Sequence, residues 1–155
     1  MGKTGSKIQS FEVFQKGIDG IRGEIKAAES INYYSVNDED WRLLGKIFMH
    51  KNVMASETSI VGNSKVMAHL LPDIVPPIDR EYTLKLLKGN TNIKNDIFYE
   101  WRLMHEIISD FFIPIAVDQN FSSLAQGWIS NQSQYPWDTS VLKVIDNIVI
   151  GMRKV

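Results

Sequence analysis

The chain has 155 residues, of which 44% are hydrophobic, so it is long enough to bury one core and is predicted to form a single domain over residues 1–155. Its 17 basic and 18 acidic residues give a net charge of −1, which excludes a strong overall field that attracts nucleic acid or an anionic membrane. The absence of cysteine excludes disulfides, thiolate catalysis and cysteine-ligated zinc. With no cysteine the compartment stays open, and a reducing cytoplasm is the default expectation. No apolar run approaches the ~20 residues of a membrane span, so we expect no membrane partner.

The first part of the chain predicts two helices. Apolar residues between positions 8 and 25 recur every three or four residues, which predicts a helix over about residues 6–28. Gly17, Gly20 and Gly23 lie within it, and each disfavours a helix interior by about 1 kcal/mol. The helix therefore either breaks near Gly20 or meets another helix closely there. Asn37 and the three acidic residues at 38–40 predict the start of a second helix that ends near residue 51.

Residues 60–82 contain several helix start and stop signals. Asn63 or Ser64 is predicted to cap a helix that Pro72 ends, because proline cannot continue the backbone hydrogen bonds. After two consecutive prolines, Asp79 is predicted to cap a short helix over residues 80–88. Together with the helix before them, these helices form a predicted hairpin-like unit over about residues 41–88.

The second half of the chain predicts three more helices. Apolar spacing between positions 97 and 111 indicates a central helix over about residues 95–112, ended by Pro114. An amphipathic segment covers about residues 121–130, and a cap among Asp138, Thr139 and Ser140 begins a last helix. No segment alternates as a half-buried strand does. The predicted fold is all-α, with six to seven helices in one orthogonal bundle.

The aromatic residues fall into two groups. Trp41 and Trp101 lie on apolar helix faces and are expected in the core. Tyr33, Tyr34 and the segment 134–137 lie in predicted loops. Rings in such loops either stack on bases, contact a partner or cover a small core.

Gly62, Ala68 and Leu71 fall on positions of a glycine-led helical hairpin motif, whereas Asn63 and Ser64 replace a hydrophobic residue and the second glycine. Through these residues the stretch 60–82 resembles the helix-hairpin-helix DNA glycosylase superfamily. The resemblance implies a glycosylase-like helical fold in which backbone amides at a helix start bind a phosphate.

The segment 75–80, Val-Pro-Pro-Ile-Asp-Arg, resembles the linker and aspartate that follow this hairpin in the superfamily. There the aspartate acts on a flipped nucleotide, so the resemblance implies a catalytic role for Asp79, for which capping alone is the competing explanation. Val66 stands where members with lyase activity carry lysine, so Schiff-base chemistry is not implied. The segments Gly-Asn-Ser-Lys and Pro-Pro-Ile-Asp-Arg also resemble segments in a group of uncharacterised bacterial helical proteins. That resemblance implies a similar fold and does not indicate an activity.

The leading hypothesis is nucleic-acid binding through a degenerate helix-hairpin-helix unit, with DNA as the partner. Between positions 42 and 94 there are eight basic and four acidic residues, and this local excess of positive charge favours a polyanion-binding surface. The residues expected to bind are Gly62, Asn63, Ser64, Lys65, Arg80, Lys46, Lys51, Lys85 and Lys88.

Two alternatives stay open. One is a non-enzymatic protein-interaction or structural helical domain that contacts a protein partner or a second copy. The other is a monofunctional DNA glycosylase-like enzyme that uses Asp79. The histidines show no metal spacing, so no metal site and no cofactor are predicted, although His69 shares a helix face with Lys65.

Overall fold

The computed structural model describes residues 8–50 and 58–152, and within these ranges the chain is all-α, as predicted. The described residues form eight continuous helices when two π-helical turns are counted with the helices they extend. The bounds are α1 Phe11–Gly20, α2 Arg22–Ala28, α3 Asp38–His50, α4 Ile60–Leu70, α5 Arg80–Leu84 with Lys85–Lys88, α6 Ile97–Ile107 with Ile108–Phe112 and Ile113–Ala116, α7 Gln119–Ile129, and α8 Val141–Met152. None of the helices described has the length and apolar character that crossing a membrane requires.

The predicted first helix is two helices, α1 and α2, which meet at Ile21. Ile21 is buried and has a φ of −121°, outside the helical range. A Cβ added at Gly20 or Gly23 would meet nothing within 4 Å, so these glycines do not serve a close helix contact. Of the two alternatives, the break near Gly20 is the one observed. It accounts for a helix count above the predicted six to seven.

Helix α4 begins at Ile60, so the prediction that Asn63 or Ser64 caps it is wrong. Both side chains lie inside the helix and are buried. Asn63 Nδ2 donates to the Phe48 carbonyl at 3.0 Å, which satisfies one of the carbonyls left open at the end of α3. Asn63 therefore joins two helices instead of starting one.

A buried carboxylate from α6 binds the amides at the start of α4. Glu100 Oε2 accepts hydrogen bonds from the backbone nitrogens of Ser59 at 2.7 Å and Ile60 at 2.6 Å. Burial raises the pKa of Glu100, and the two amide hydrogen bonds act in the opposite direction. A negative group at a helix start is also favoured by the helix dipole. These two amides are consequently not free for an external phosphate.

The prediction that Pro114 ends the central helix is wrong. Helix α6 continues to Ala116 through the π-helical turn Ile108–Phe112, in which the Ile113 nitrogen donates to the Ile108 carbonyl. This wider turn shifts the hydrogen-bond register just before proline, which has no N–H to donate. The helix therefore passes through Pro114.

One hydrophobic core joins the two halves of the chain. Its fully buried members include Phe48 of α3, Met67 of α4, Phe112 of α6 and Leu142 of α8. The predicted core residues Trp41 and Trp101 pack against this cluster and are partly buried. Leu84 of α5 is also fully buried in this core, so α4, α5 and α8 pack on one cluster.

Candidate functional site

A cavity of about 290 Å³ lies between α4, the segment leading into α5, and α8. Its polar lining comes from all three parts of the chain, and its apolar lining forms the walls between them. The polar residues are Lys65, His69, Asp79, Tyr82, Thr139, Ser140, Lys143 and Asp146, and the apolar residues are Ala68, Val75, Pro77 and Ile150.

A buried serine fixes the backbone beside Asp79. Ser64 Oγ accepts from the Ile78 nitrogen at 3.0 Å and donates to the Val61 carbonyl at 3.1 Å. Since Ile78 is itself fully buried, this bond satisfies an amide that has no access to water. It holds the Pro-Pro-Ile-Asp segment against α4 and sets where Asp79 emerges.

Both carboxylate oxygens of Asp79 are oriented by neighbouring groups. Oδ1 accepts from the Glu81 nitrogen at 2.9 Å, which confirms the predicted cap of α5. Oδ2 accepts from Lys65 Nζ at 3.3 Å, across the cavity wall from α4. These two contacts fix the position of the carboxylate at the cavity. A catalytic role of Asp79 stays a prediction.

A second lysine–aspartate pair lines the same cavity from α8. Lys143 Nζ lies 2.6 Å from Asp146 Oδ2, and Asp146 is buried. Burial raises the pKa of Asp146, and the hydrogen bond from Lys143 acts against this shift. Ser140, one of the three candidate caps, begins α8 by accepting from the Lys143 nitrogen at 3.2 Å.

Sequence reasoning did not select Lys143 or Asp146. One signal was available, because Asp146 stands four residues after Leu142 and three before Val149, on the apolar stripe of the last helix. An acid on a buried stripe requires a partner, and Lys143 is within reach three residues earlier. That this pair faces Asp79 depends on the packing of α8, which local spacing does not reveal.

Several predicted binding residues are placed where they do not contact the cavity. Gly62, Asn63 and Ser64 are buried within α4, and the Asn63 nitrogen donates to the Ser59 carbonyl. The Asn63 amide is therefore used inside the helix and does not stand at a free helix start, and phosphate binding by this segment stays a prediction. Lys85 is exposed on α5, and Lys51 lies outside the described residues.

The remaining basic residues are engaged elsewhere. Lys46 pairs with Glu24 of α2 at 3.2 Å, and Lys88 donates to a tyrosine hydroxyl of α6 at 2.9 Å. Arg80 donates to a threonine hydroxyl just before α4. Of the predicted site residues, the structure brings together Lys65 and Asp79 in the cavity, with His69 on the same helix face as Lys65.

No outside relationship identifies the site. Comparison of the chain with models of protein families, with curated proteins and with solved structures gives no match. In residues 8–50 and 58–152, no three histidine, aspartate or glutamate side chains lie close enough to hold a metal ion. The cavity around Asp79 is the candidate site because it gathers ionisable side chains from separate helices at an opening in the surface.

We expect Asp79→Ala to lower the free energy of unfolding by about 1 kcal/mol, because α5 loses its cap. Asp79→Asn keeps a side-chain oxygen that caps equally well and loses only a partly exposed ion pair, so its stability should lie within about 0.5 kcal/mol of wild type. Urea unfolding followed by circular dichroism measures both. Equal destabilisation by the two variants would contradict the capping geometry.

The raised pKa of Asp146 predicts a pH-dependent difference in stability. In the folded protein this carboxyl holds its proton more tightly than in the unfolded chain, so its contribution to stability falls as pH rises above the ordinary value of 3.8 and through its raised pKa. Asp146→Asn removes this titration. The stability of Asp146→Asn relative to wild type should therefore increase with pH in a series of urea unfolding curves. A relative stability that decreases with pH would show that the carboxyl is favoured in its charged form.

Proposed function

We propose that the protein binds nucleic acid by taking one unpaired base into the Asp79 cavity. The observation that supports this is the lining, in which two lysine ammonium groups and two aspartate carboxylates stand among apolar walls. A nucleobase has hydrogen-bond donors and acceptors on its edge and apolar faces, so both kinds of lining have a counterpart. The volume of about 290 Å³ is close to the lower limit of roughly 300 Å³ for small-molecule sites, which suits a ligand as small as a single base.

A free phosphate or another compact anion fits the cavity less well. Lys65 and Lys143 each already contact an aspartate, at 3.3 and 2.6 Å. An anion placed between the two lysines would also approach both carboxylates, and like-charge repulsion would offset much of the attraction. A base bears no formal charge at neutral pH, and it meets the lysines with acceptors and the aspartates with donors.

Nucleic acid is thus the expected partner, and the expected contact is a base in the cavity in place of phosphates on a basic surface. Binding through a broad basic face is not part of the proposal, since Lys46 and Lys88 contact other side chains. For a single strand, affinity falls with salt by about 0.7 per neutralised phosphate on a logarithmic scale. Because the two cavity lysines are assigned to the base, few phosphates are neutralised, and affinity should fall only shallowly as salt increases. The resemblance of segment 75–80 to the glycosylase superfamily supports the same site, because it assigns the flipped nucleotide to Asp79.

Binding of a short single-stranded DNA, measured by fluorescence anisotropy, tests the proposal. Lys65→Met and Asp79→Asn each remove one charged hydrogen-bonding group from the cavity, and we expect each to weaken binding by about tenfold or more. Lys26→Met, at an exposed position on α2, is the matched control and should bind as wild type does. Absence of binding by wild type at low salt, or equal losses in all three variants, would contradict the proposal.

The same variants separate a binding protein from an enzyme. Asp79→Asn retains the cap of α5, so a loss of activity in this variant reports on the carboxylate and not on folding. Release of a base by wild type that Asp79→Asn abolishes would define a monofunctional glycosylase-like enzyme. Binding without release would define a nucleic-acid-binding protein.

The second candidate is a non-enzymatic interaction domain, and apolar residues on α5 and α6 favour it. Leu86 and Phe98 are exposed, and Leu87 lines a groove of about 330 Å³ with Tyr99 and Phe111. A protein partner or a second copy would remove these side chains from water. Sedimentation velocity over a range of concentrations distinguishes this candidate, because self-association through this face requires no nucleic acid.

A further inference from the structure

Trp137 is displayed to solvent on a loop whose backbone is tightly held. Its exposed fraction is 77%. Asn147 Nδ2 of α8 donates to the Trp137 carbonyl at 3.1 Å and to Asp138 Oδ1 at 2.6 Å. Gln132 Nε2 donates to the Asp138 carbonyl at 2.9 Å, and Asp138 is buried. The side chain therefore projects from a fixed point, which reduces the entropy lost when a ligand contacts it.

Trp137 is close in the chain to the Asp79 cavity. Thr139 and Ser140 line the cavity. Thr139 follows Trp137 by two residues, so the Cα atoms of Trp137 and Thr139 are at most about 7 Å apart. The anchoring Asn147 is the next residue after Asp146, which also lines the cavity. Both ends of the anchor therefore lie within two residues of a side chain that lines the cavity.

The Trp137 ring does not serve as a cover over the hydrophobic core. The neighbouring Tyr135 is partly buried and stacks on Trp128 of α7, with ring centroids 5.6 Å apart. Trp137, by contrast, leaves most of its surface in water. A large aromatic ring held in this way beside a polar cavity is the arrangement that single-stranded nucleic-acid sites use to stack bases.

We propose that Trp137 stacks on the base next to the one that enters the Asp79 cavity, so that the site recognises two consecutive nucleotides of a single strand. This inference rests on the proposed function and adds the second contact and the strand preference. In a duplex both faces of each base are covered by neighbours, so a base offers the tryptophan no free face. The protein should therefore bind a single strand more tightly than the paired form of the same sequence.

Anisotropy titrations of a labelled single-stranded oligonucleotide test the inference with wild type, Trp137→Ala and Trp137→Phe. Trp137→Ala removes the ring on which the base stacks, so this variant should bind the strand about 5- to 100-fold more weakly than wild type. Trp137→Phe retains a smaller ring and should lose less. Phe11→Ala is the matched control, since Phe11 of α1 is 76% exposed and its replacement should leave affinity unchanged.

A second oligonucleotide, with abasic sites on both sides of one remaining base, removes the stacking partner and keeps the base for the cavity. Wild type and Trp137→Ala should bind this strand equally, while Lys65→Met should still bind it more weakly. Equal binding of the intact strand by wild type and Trp137→Ala would overturn the inference and leave the proposed function standing. A mononucleotide bound as tightly as the strand would overturn it in the same way. Loss in Trp137→Ala with full affinity in Lys65→Met would overturn both, because the strand would then lie away from the cavity.

Discussion

The hydrogen bond from the Ile78 nitrogen to Ser64 Oγ is the constraint on which the candidate site depends. It fixes the rigid Pro-Pro-Ile-Asp segment against α4 at 3.0 Å, inside the core and away from water. Asp79 then emerges where Lys65, one residue after the serine, can contact it. A short polar motif on one helix thus positions a carboxylate fourteen residues later in the chain. The cavity forms where α8 brings a second charged pair to the same place.

Features controlled by neighbouring residues were predictable from the sequence. Apolar spacing predicted the helical content, and Asp79 was recognised as a cap because the cap bond spans only two residues. The errors come from partners that are distant in the chain. The sequence around Asn63 favoured a helix start there. The helix in fact starts at Ile60, whose amide is bound by Glu100, about forty residues later in the chain. The passage of α6 through Pro114 depends on a π-helical turn that apolar spacing does not announce.

Charge pairing inside the cavity changes the meaning of the basic residues. Counted along the sequence, the excess of lysine and arginine between positions 42 and 94 suggested a surface for phosphates. In the fold, Lys65 is balanced by Asp79 and Lys143 by Asp146, so this opening offers two cationic donor groups and two anionic acceptor groups. Such a lining discriminates by hydrogen-bond pattern and shape more than by charge. A protein with a net charge of −1 is better suited to this recognition than to the electrostatic capture of a polyanion.

The central claim is that the Asp79 cavity receives the base, and amide NMR spectra recorded during titration with a short single strand test it most directly. The account predicts that the largest shift changes fall at Lys65, Tyr82 and Ser140, on the three parts of the chain that enclose the cavity. The groove that contains Leu87 and Arg102, between α5 and α6, provides the internal comparison and should change little. Shift changes confined to that groove, with the cavity residues unaltered, would contradict the account.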